Sequence, residues 1–266
     1  MFSYIGGKAR LAPWIISHFP LHRSYVEVFG GAAWVLLQKP RSTIEVYNDI
    51  NDELINMWRV LQTDAPKMAE ELSRIPYSRT LYYSWISDWK KGIRPGTEFN
   101  RAIRFAWIQA CSFGGGFMKG FAVSRDQDHA GGYQRWVSSL NEIQDRMRGV
   151  LIENLSFEVL IPKYDTSDAL FYCDPPYDGT ENYYNGFNTE SHAKLAELLS
   201  GIKGKFVLSY FQTPIIESLY PPTRFSYHAK SRKIGVHGGT AKSNVANRPT
   251  GLEVLITNFE TLFTSN

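Results

Sequence analysis

Cysteine is scarce in this chain: 2 in 266 residues, Cys111 and Cys173. The two do not make a metal-ligand pattern, so no metal site and no disulfide framework is expected. No run of about 18 apolar residues is present, which excludes a membrane-spanning helix. No secretory leader is read at the amino end, and a reducing cytoplasm is the expected setting. Internal repeats and low-complexity tracts are missing as well. The full G-x-G-x-x-G fingerprint is absent, which counts against an NAD or FAD enzyme. Acid is absent from Ser218 to Leu252, while Arg224, Lys230, Arg232, Lys233, Lys242 and Arg248 all fall in that window. Such a one-signed stretch suits a phosphate backbone, or else is a solvated loop. The net charge of +3 is too small to argue for nucleic acid by itself.

What is abundant is aromatic surface, with 7 Trp, 15 Tyr and 16 Phe. The length suits one large domain or a domain carrying a substantial insertion. The most informative stretch is Ala169 to Cys173, an apolar strand-like run that ends in Asp174-Pro175-Pro176-Tyr177. Open α/β sheets bind ligands at the carboxyl ends of their strands. The two prolines lack N–H donors and hold the chain extended. Asp174 and the neighbouring carbonyls can then act as acceptors, with the Tyr177 ring beside them. Acceptors next to a ring face suit an amino group on a flat heterocycle, such as the 6-amino group of adenine. A strand ending in a Pro-Pro turn with a capping Asp is the plain structural alternative.

Upstream, Gly6-Gly7-Lys8 precedes a helical pattern and offers a cation to a carboxylate or phosphate, although it also serves as an ordinary turn. Tyr25 to Phe29 reads as a buried strand entering Gly30-Gly31-Ala32-Ala33, with a helix over Trp34 to Gln38. Strand, glycine turn and helix open a nucleotide-binding βαβ unit. The next strand, Ile44 to Tyr47, ends in Asn48-Asp49. Asp49 lies about 20 residues beyond the turn, where an acid accepts from ribose hydroxyls. One nucleoside with a charged tail is implied, and S-adenosylmethionine fits, its amino-acid end meeting Lys8 and Glu27.

A helix is expected over Asp52 to Leu61. From there to Met147 the chain is helical and aromatic without a convincing strand pair, like an inserted subdomain. Its glycine-rich loop, Cys111 to Phe121, reads as flexible; either it orders on a partner, or its Phe113, Phe117 and Phe121 anchor it to the domain. Later segments predict helices over Glu190 to Leu199 and Pro214 to Leu219. Strands are expected at Phe206 to Ser209, Thr223 to His228 and Glu253 to Ile256, the last two forming an antiparallel ribbon joined by the basic loop.

Taken together, these motifs resemble the Dam-type DNA adenine-N6 methyltransferases over nearly the whole chain. Tyr4-Ile5-Gly6-Gly7-Lys8 resembles the amino-terminal cofactor motif and Val26-Glu27-Val28-Phe29-Gly30-Gly31 the glycine motif. Asn48-Asp49-Ile50-Asn51 resembles the ribose motif and Asp174-Pro175-Pro176-Tyr177 the catalytic motif, followed by Tyr184 and Phe187. The resemblance implies an α/β, Rossmann-like methyltransferase fold, with a mostly parallel seven-stranded sheet and a reversed strand. It implies a catalytic domain at 1–55 and 149–266 and a helical target-recognition insert at 56–148. Tyr4, Lys8, Glu27, Phe29, Gly30, Gly31, Asp49, Ile50, Leu155, Ser156, Phe157 and Asp174 would hold S-adenosylmethionine. Asp174, Pro175, Pro176 and Tyr177 would be catalytic, and Lys119, Arg125, Tyr184, Lys230, Arg232, Lys233 and Lys242 would contact double-stranded DNA. The chain departs from its relatives at Ala32-Ala33-Trp34, where another glycine and smaller residues are common. The expected protein is a cytoplasmic monomer, bacterial or phage-encoded. Cytosine-N4 methylation and a non-catalytic DNA-binding protein with this fold are the alternatives.

Overall fold

The structure is a computed structural model describing residues 7–177, 187–233 and 250–260. Tyr4, Tyr184 and Lys242 lie outside the described residues. In chain order, α1 (Ala12–Ile16) leads to β1 (Ser24–Glu27), α2 (Trp34–Gln38) and β2 (Ile44–Asn48). Next come the helices α3 (Asp52–Arg74), α4 (Arg79–Lys90), α5 (Glu98–Cys111), α6 (His129–Ser138) and α7 (Leu140–Met147). The chain continues through β3 (Leu151–Glu153), α8 (Phe157–Tyr164), β4 (Ala169–Cys173), α9 (Thr189–Gly201) and β5 (Lys205–Phe211), and closes with α10 (Pro214–Leu219), β6 (Ser226–Lys233) and β7 (Thr250–Thr257).

The strands form a seven-stranded sheet in the order β3-β2-β1-β4-β5-β7-β6. β1 is parallel to β2 and β4, and β4 is parallel to β5. β7 runs antiparallel to both of its neighbours. The mostly parallel sheet with a reversed strand is therefore present, and so is the expected antiparallel ribbon at its edge.

The chain divides into two compact units. One, the sheet unit, comprises Pro13–Gly30, Pro40–Asn48 and Leu155–Asn266. Its β4 is buried at every residue, as a strand covered on both faces must be. Val26, Val46, Phe171, Phe206, Leu208, Val254 and Ile256 from the strands pack with Leu160, Leu195, Leu199 and Ile216 from the helices. Each such side chain contributes roughly 1.5–3 kcal/mol by leaving water.

The basic segment differs from expectation in one respect. Lys230, Arg232 and Lys233 lie on β6, paired in register with Glu253, Gly251 and Thr250, and are not in a loop. Pairing extends past His228 because β7 offers a ladder as far as Thr250. Lys230, exposed on this outermost strand, discourages another chain from adding to the sheet edge.

The other unit comprises Met1–Ala12, Gly31–Lys39 and Asp49–Asn154. Its α3 runs well beyond the expected end at Leu61, because the break at Asp64 (φ −149°, ψ 62°) lets the helix restart around Pro66. The Lys67 N–H donates to Asp64 Oδ1 at 3.3 Å, so the aspartate caps the second segment. Gln62 Nε2 ties this helix to the Met147 and Val150 carbonyls, at 2.8 and 2.7 Å. Glu53 takes Arg101 at 3.0 Å and Arg94 at 3.5 Å. Tyr82, Phe105 and Trp107 are buried among these helices.

The glycine-rich loop packs on this unit through its own rings, the second of the two alternatives the sequence leaves open. Phe117 stacks on Phe105 at 4.9 Å and Phe121 lies 4.8 Å from Tyr77. The Phe113 N–H donates to the Gly120 carbonyl at 2.7 Å, and Gln109 Nε2 donates to the Gly115 carbonyl at 2.8 Å. Its glycines serve local geometry: Gly114, Gly115 and Gly120 all have positive φ. Phe113 alone of the loop's three phenylalanines is exposed. Among the described residues no helix is long and apolar enough to cross a membrane.

Candidate active site

Strand order reverses between β1 and β4: β2 continues on one side and β5 on the other. Such a switch point opens a crevice at the carboxyl ends of the strands. Glu27 is level with Tyr172, and the Val28 N–H donates to the Tyr172 carbonyl at 3.0 Å. Val28–Gly30 and Asp174–Tyr177 therefore leave the sheet side by side.

Asn48, at the end of β2, joins a third segment to them. Its Nδ2 donates to the Val28 carbonyl at 2.9 Å and to the Leu155 carbonyl at 3.0 Å, while its Oδ1 accepts the Leu155 N–H at 2.8 Å. Leu155, Ser156 and Phe157 are thereby brought beside the glycine motif. Phe29, Phe157 and Phe187 form an aromatic trio with centroid separations of 5.6–5.9 Å. Glu27 is buried and accepts the Tyr25 hydroxyl at 2.6 Å.

Gly30 is required by contact. A Cβ there would lie 2.1 Å from Cε2 of the fully buried Tyr47 ring. The Gly30 N–H also donates to the Asn48 carbonyl at 2.7 Å. Gly31 is left-handed (φ 49°), and its N–H donates to Asp49 Oδ2 at 2.9 Å. Asp49 Oδ1 accepts the Asn51 N–H, also at 2.9 Å. Burial raises the Asp49 carboxyl's pKa, opposed by the amides of Asn51, Gly31 and Ile50. Ala33 is left-handed too (φ 56°, ψ 29°). A glycine there would be unstrained, whereas alanine costs roughly 1–2 kcal/mol. Lys8 is buried, and its carbonyl accepts the Leu11 and Ala12 N–H groups. Ile50 is 70% exposed. A half-buried acid beside a left-handed glycine has the chemistry to accept from hydroxyls, and clustered phenylalanine rings offer apolar faces to a flat group.

In the catalytic-motif turn, Asp174 and Tyr177 are half-buried and Pro175 is buried. The Tyr177 hydroxyl donates to Glu253 Oε1 at 2.6 Å, and its ring lies 4.6 Å from that of Tyr210 and 4.9 Å from that of Phe211. The Tyr210 hydroxyl makes a long 3.5 Å contact to the Pro176 carbonyl and 3.2 Å to His192 Nε2. Burial, then the Asp174 and Glu253 carboxylates, push the Tyr177 phenol well above its usual range, so it stays neutral. Glu253, Ser209, Tyr210 and the pinning role of Asn48 escape sequence reasoning. Only the acid inside the apolar β7 run signals that something polar must meet it.

Lys119 and Arg125 are exposed in the helical unit, and Lys230 is exposed on β6 with its Nζ 5.5 Å from the Trp14 ring. Among the described residues no group of three or more His, Cys, Asp or Glu side chains could hold a metal ion.

An open sheet with a glycine turn and an acidic Pro-Pro-Tyr turn at its switch point defines a Rossmann-like methyltransferase. The model of the D12 class N6 adenine-specific DNA methyltransferases matches residues 4–235, and the chain belongs to this family of adenine-specific DNA-methylating enzymes. It is 25% identical over 258 residues to the Retron Ec67 DNA adenine methylase of Escherichia coli, covering 91% of this chain and 88% of that one. It is 22% identical to the type II methyltransferase M.CviBI of Paramecium bursaria Chlorella virus NC1A (81% and 84% covered). Identity to the DNA adenine methylase of Vibrio cholerae is 26%, with 73% of each chain covered.

Proposed function

We propose that the chain transfers a methyl group from S-adenosylmethionine to the 6-amino group of an adenine flipped out of duplex DNA, with Asp174, Pro175, Pro176 and Tyr177 forming the catalytic turn. The observation that carries this is the register of β1 and β4, which sets the glycine motif and the acidic turn side by side at the switch point. The target base stacks on Tyr177, and unstacking it costs a few kcal/mol. Asp174 and the Pro175 carbonyl accept the amino hydrogens, which draws the nitrogen lone pair out of conjugation. When bound, S-adenosylmethionine supplies a sulfonium methyl that is already electrophilic, so the chain's main task is positioning. Asp49 accepts from the ribose, Phe29 and Phe157 flank the adenine, and Lys8 and Glu27 meet the amino-acid end, with Tyr4, Gly30, Gly31, Ile50, Leu155 and Ser156 completing the cofactor site.

We read residues 56–148 as the target-recognition insert and the protein as a cytoplasmic monomer. Purified protein incubated with unmethylated duplex DNA and S-adenosylmethionine should yield N6-methyl-2′-deoxyadenosine on digestion and mass spectrometry. Methylcytosine would overturn the base assignment, and no methylated nucleoside despite cofactor binding would overturn the reaction.

Lys119, Arg125, Lys230, Arg232 and Lys233 are read as DNA-binding residues, with Tyr184 and Lys242 beyond the described residues. Changing Lys230, Arg232 and Lys233 to Gln should weaken DNA binding across sequences and flatten its dependence on log salt by about 0.9 for each phosphate no longer neutralised. An unchanged slope would remove β6 from the DNA interface.

A further inference from the structure

Glu253 has an unusual place for an acid. It is fully buried on β7, in the run Leu252-Glu253-Val254-Leu255-Ile256. A buried carboxylate is costly unless hydroxyls or cations compensate it, so its position calls for a reason beyond packing. Two hydroxyls converge on a single oxygen: Tyr177 donates to Oε1 at 2.6 Å and Ser209 donates to the same atom at 2.7 Å. Both distances are those of well-formed O–H···O hydrogen bonds. Ser209 is itself fully buried on β5, the strand that pairs with β7. The serine therefore aims the carboxylate, and the carboxylate holds the tyrosine.

We propose that Glu253 is a positioning residue for methyl transfer: by holding the Tyr177 hydroxyl, it fixes the ring on which the target base stacks. This rests on the reading of Asp174–Tyr177 as the catalytic turn. A Phe ring would stack as well as a Tyr ring, so stacking by itself does not explain the hydroxyl. Tyr210 (interplanar angle 39°) and Phe211 (77°) confine the ring laterally, and the hydroxyl anchor sets the remaining freedom, its tilt about the turn. The Tyr210 contact to the Pro176 carbonyl holds the backbone of the same turn from β5. A base stacked on a tilted ring would carry its amino group away from Asp174, and a misplacement of about 1 Å costs on the order of a hundredfold in rate.

The test compares Tyr177→Phe, Glu253→Ala, Glu253→Gln and the Tyr177→Phe/Glu253→Ala double variant. Single-turnover methyl transfer to unmethylated duplex DNA is measured alongside cofactor and DNA affinity, with thermal melts to confirm folding. Tyr177→Phe and Glu253→Ala should each slow transfer by about ten- to a hundredfold at unchanged affinities. Glu253→Gln keeps an acceptor oxygen and should recover most of the rate. The double variant should be no slower than the worse single variant, since both remove the same hydrogen bond. Multiplying losses, or a Glu253→Gln rate as low as that of Glu253→Ala, would overturn the proposal. If Glu253→Ala does not fold, Tyr177→Phe decides, because it keeps every ring contact: a wild-type rate overturns the anchor. Asp174→Ala separates the two readings. If it is inactive while Tyr177→Phe is wild-type, only the anchor fails; if it stays active, the catalytic turn fails and the anchor with it.

Discussion

Asp174→Ala should lower methyl transfer by about a hundred- to ten-thousandfold, the range spanned by positioned acid-base groups, and weaken cofactor binding far less, since Asp174 is one of many residues expected to hold the cofactor. The strand before it supports that separation. β4 is buried throughout and paired on both sides, so losing one half-buried carboxylate just past its end leaves the sheet in place. Pro175 and Pro176 restrict the backbone independently of the acid. What disappears is the acceptor for the amino hydrogens. Single-turnover transfer combined with calorimetric titration of S-adenosylmethionine separates the two effects, and near-normal turnover would sink the assignment of Asp174.

Gly30→Ala should damage both the fold and the cofactor site, for a reason the backbone dihedral does not supply. The added methyl would meet Cε2, Cζ and Cδ2 of Tyr47 at 2.1, 2.5 and 2.7 Å. That ring is fully buried and cannot swing into solvent. Overpacking of this kind costs about 1–3 kcal/mol, sometimes more. The alternative to moving the ring is to move the turn, which would strain the 2.7 Å bond from Gly30 to the Asn48 carbonyl and shift the residues after it. A lowered denaturation midpoint and at least about tenfold weaker cofactor binding are expected, both partly recovered by adding Tyr47→Leu. Wild-type stability and affinity in Gly30→Ala would show that the turn tolerates the methyl and has no close-approach requirement.

Position 47 shows how far local pattern carries and where it stops. Ile44 to Tyr47 reads as a strand from its apolar residues, and β2 spans Ile44–Asn48. Which glycine the Tyr47 ring covers depends on the pairing of β1 with β2, in which Glu27 is level with Tyr47. The loop from Cys111 to Phe121 shows a choice that local pattern leaves open. Its glycines read as freedom, whereas the fold uses them for left-handed turns that return Phe117 and Phe121 to neighbouring rings. The basic segment reads as a loop because an edge strand with one solvated face carries lysines and arginines as readily as a loop does.

Elements with short-range signals are legible along the chain: the apolar β4 run and its Pro-Pro turn, the strand–glycine–helix opening, the acid after β2, and the late ribbon. These depend on steric limits and side-chain alternation within a few residues. Which groups meet across long separations is visible only in the folded chain. Glu253 lies 76 residues from Tyr177, and Asn48 lies 107 from Leu155. Such pairs are set by strand order and register, which follow from burying the whole sheet, and no local pattern encodes them.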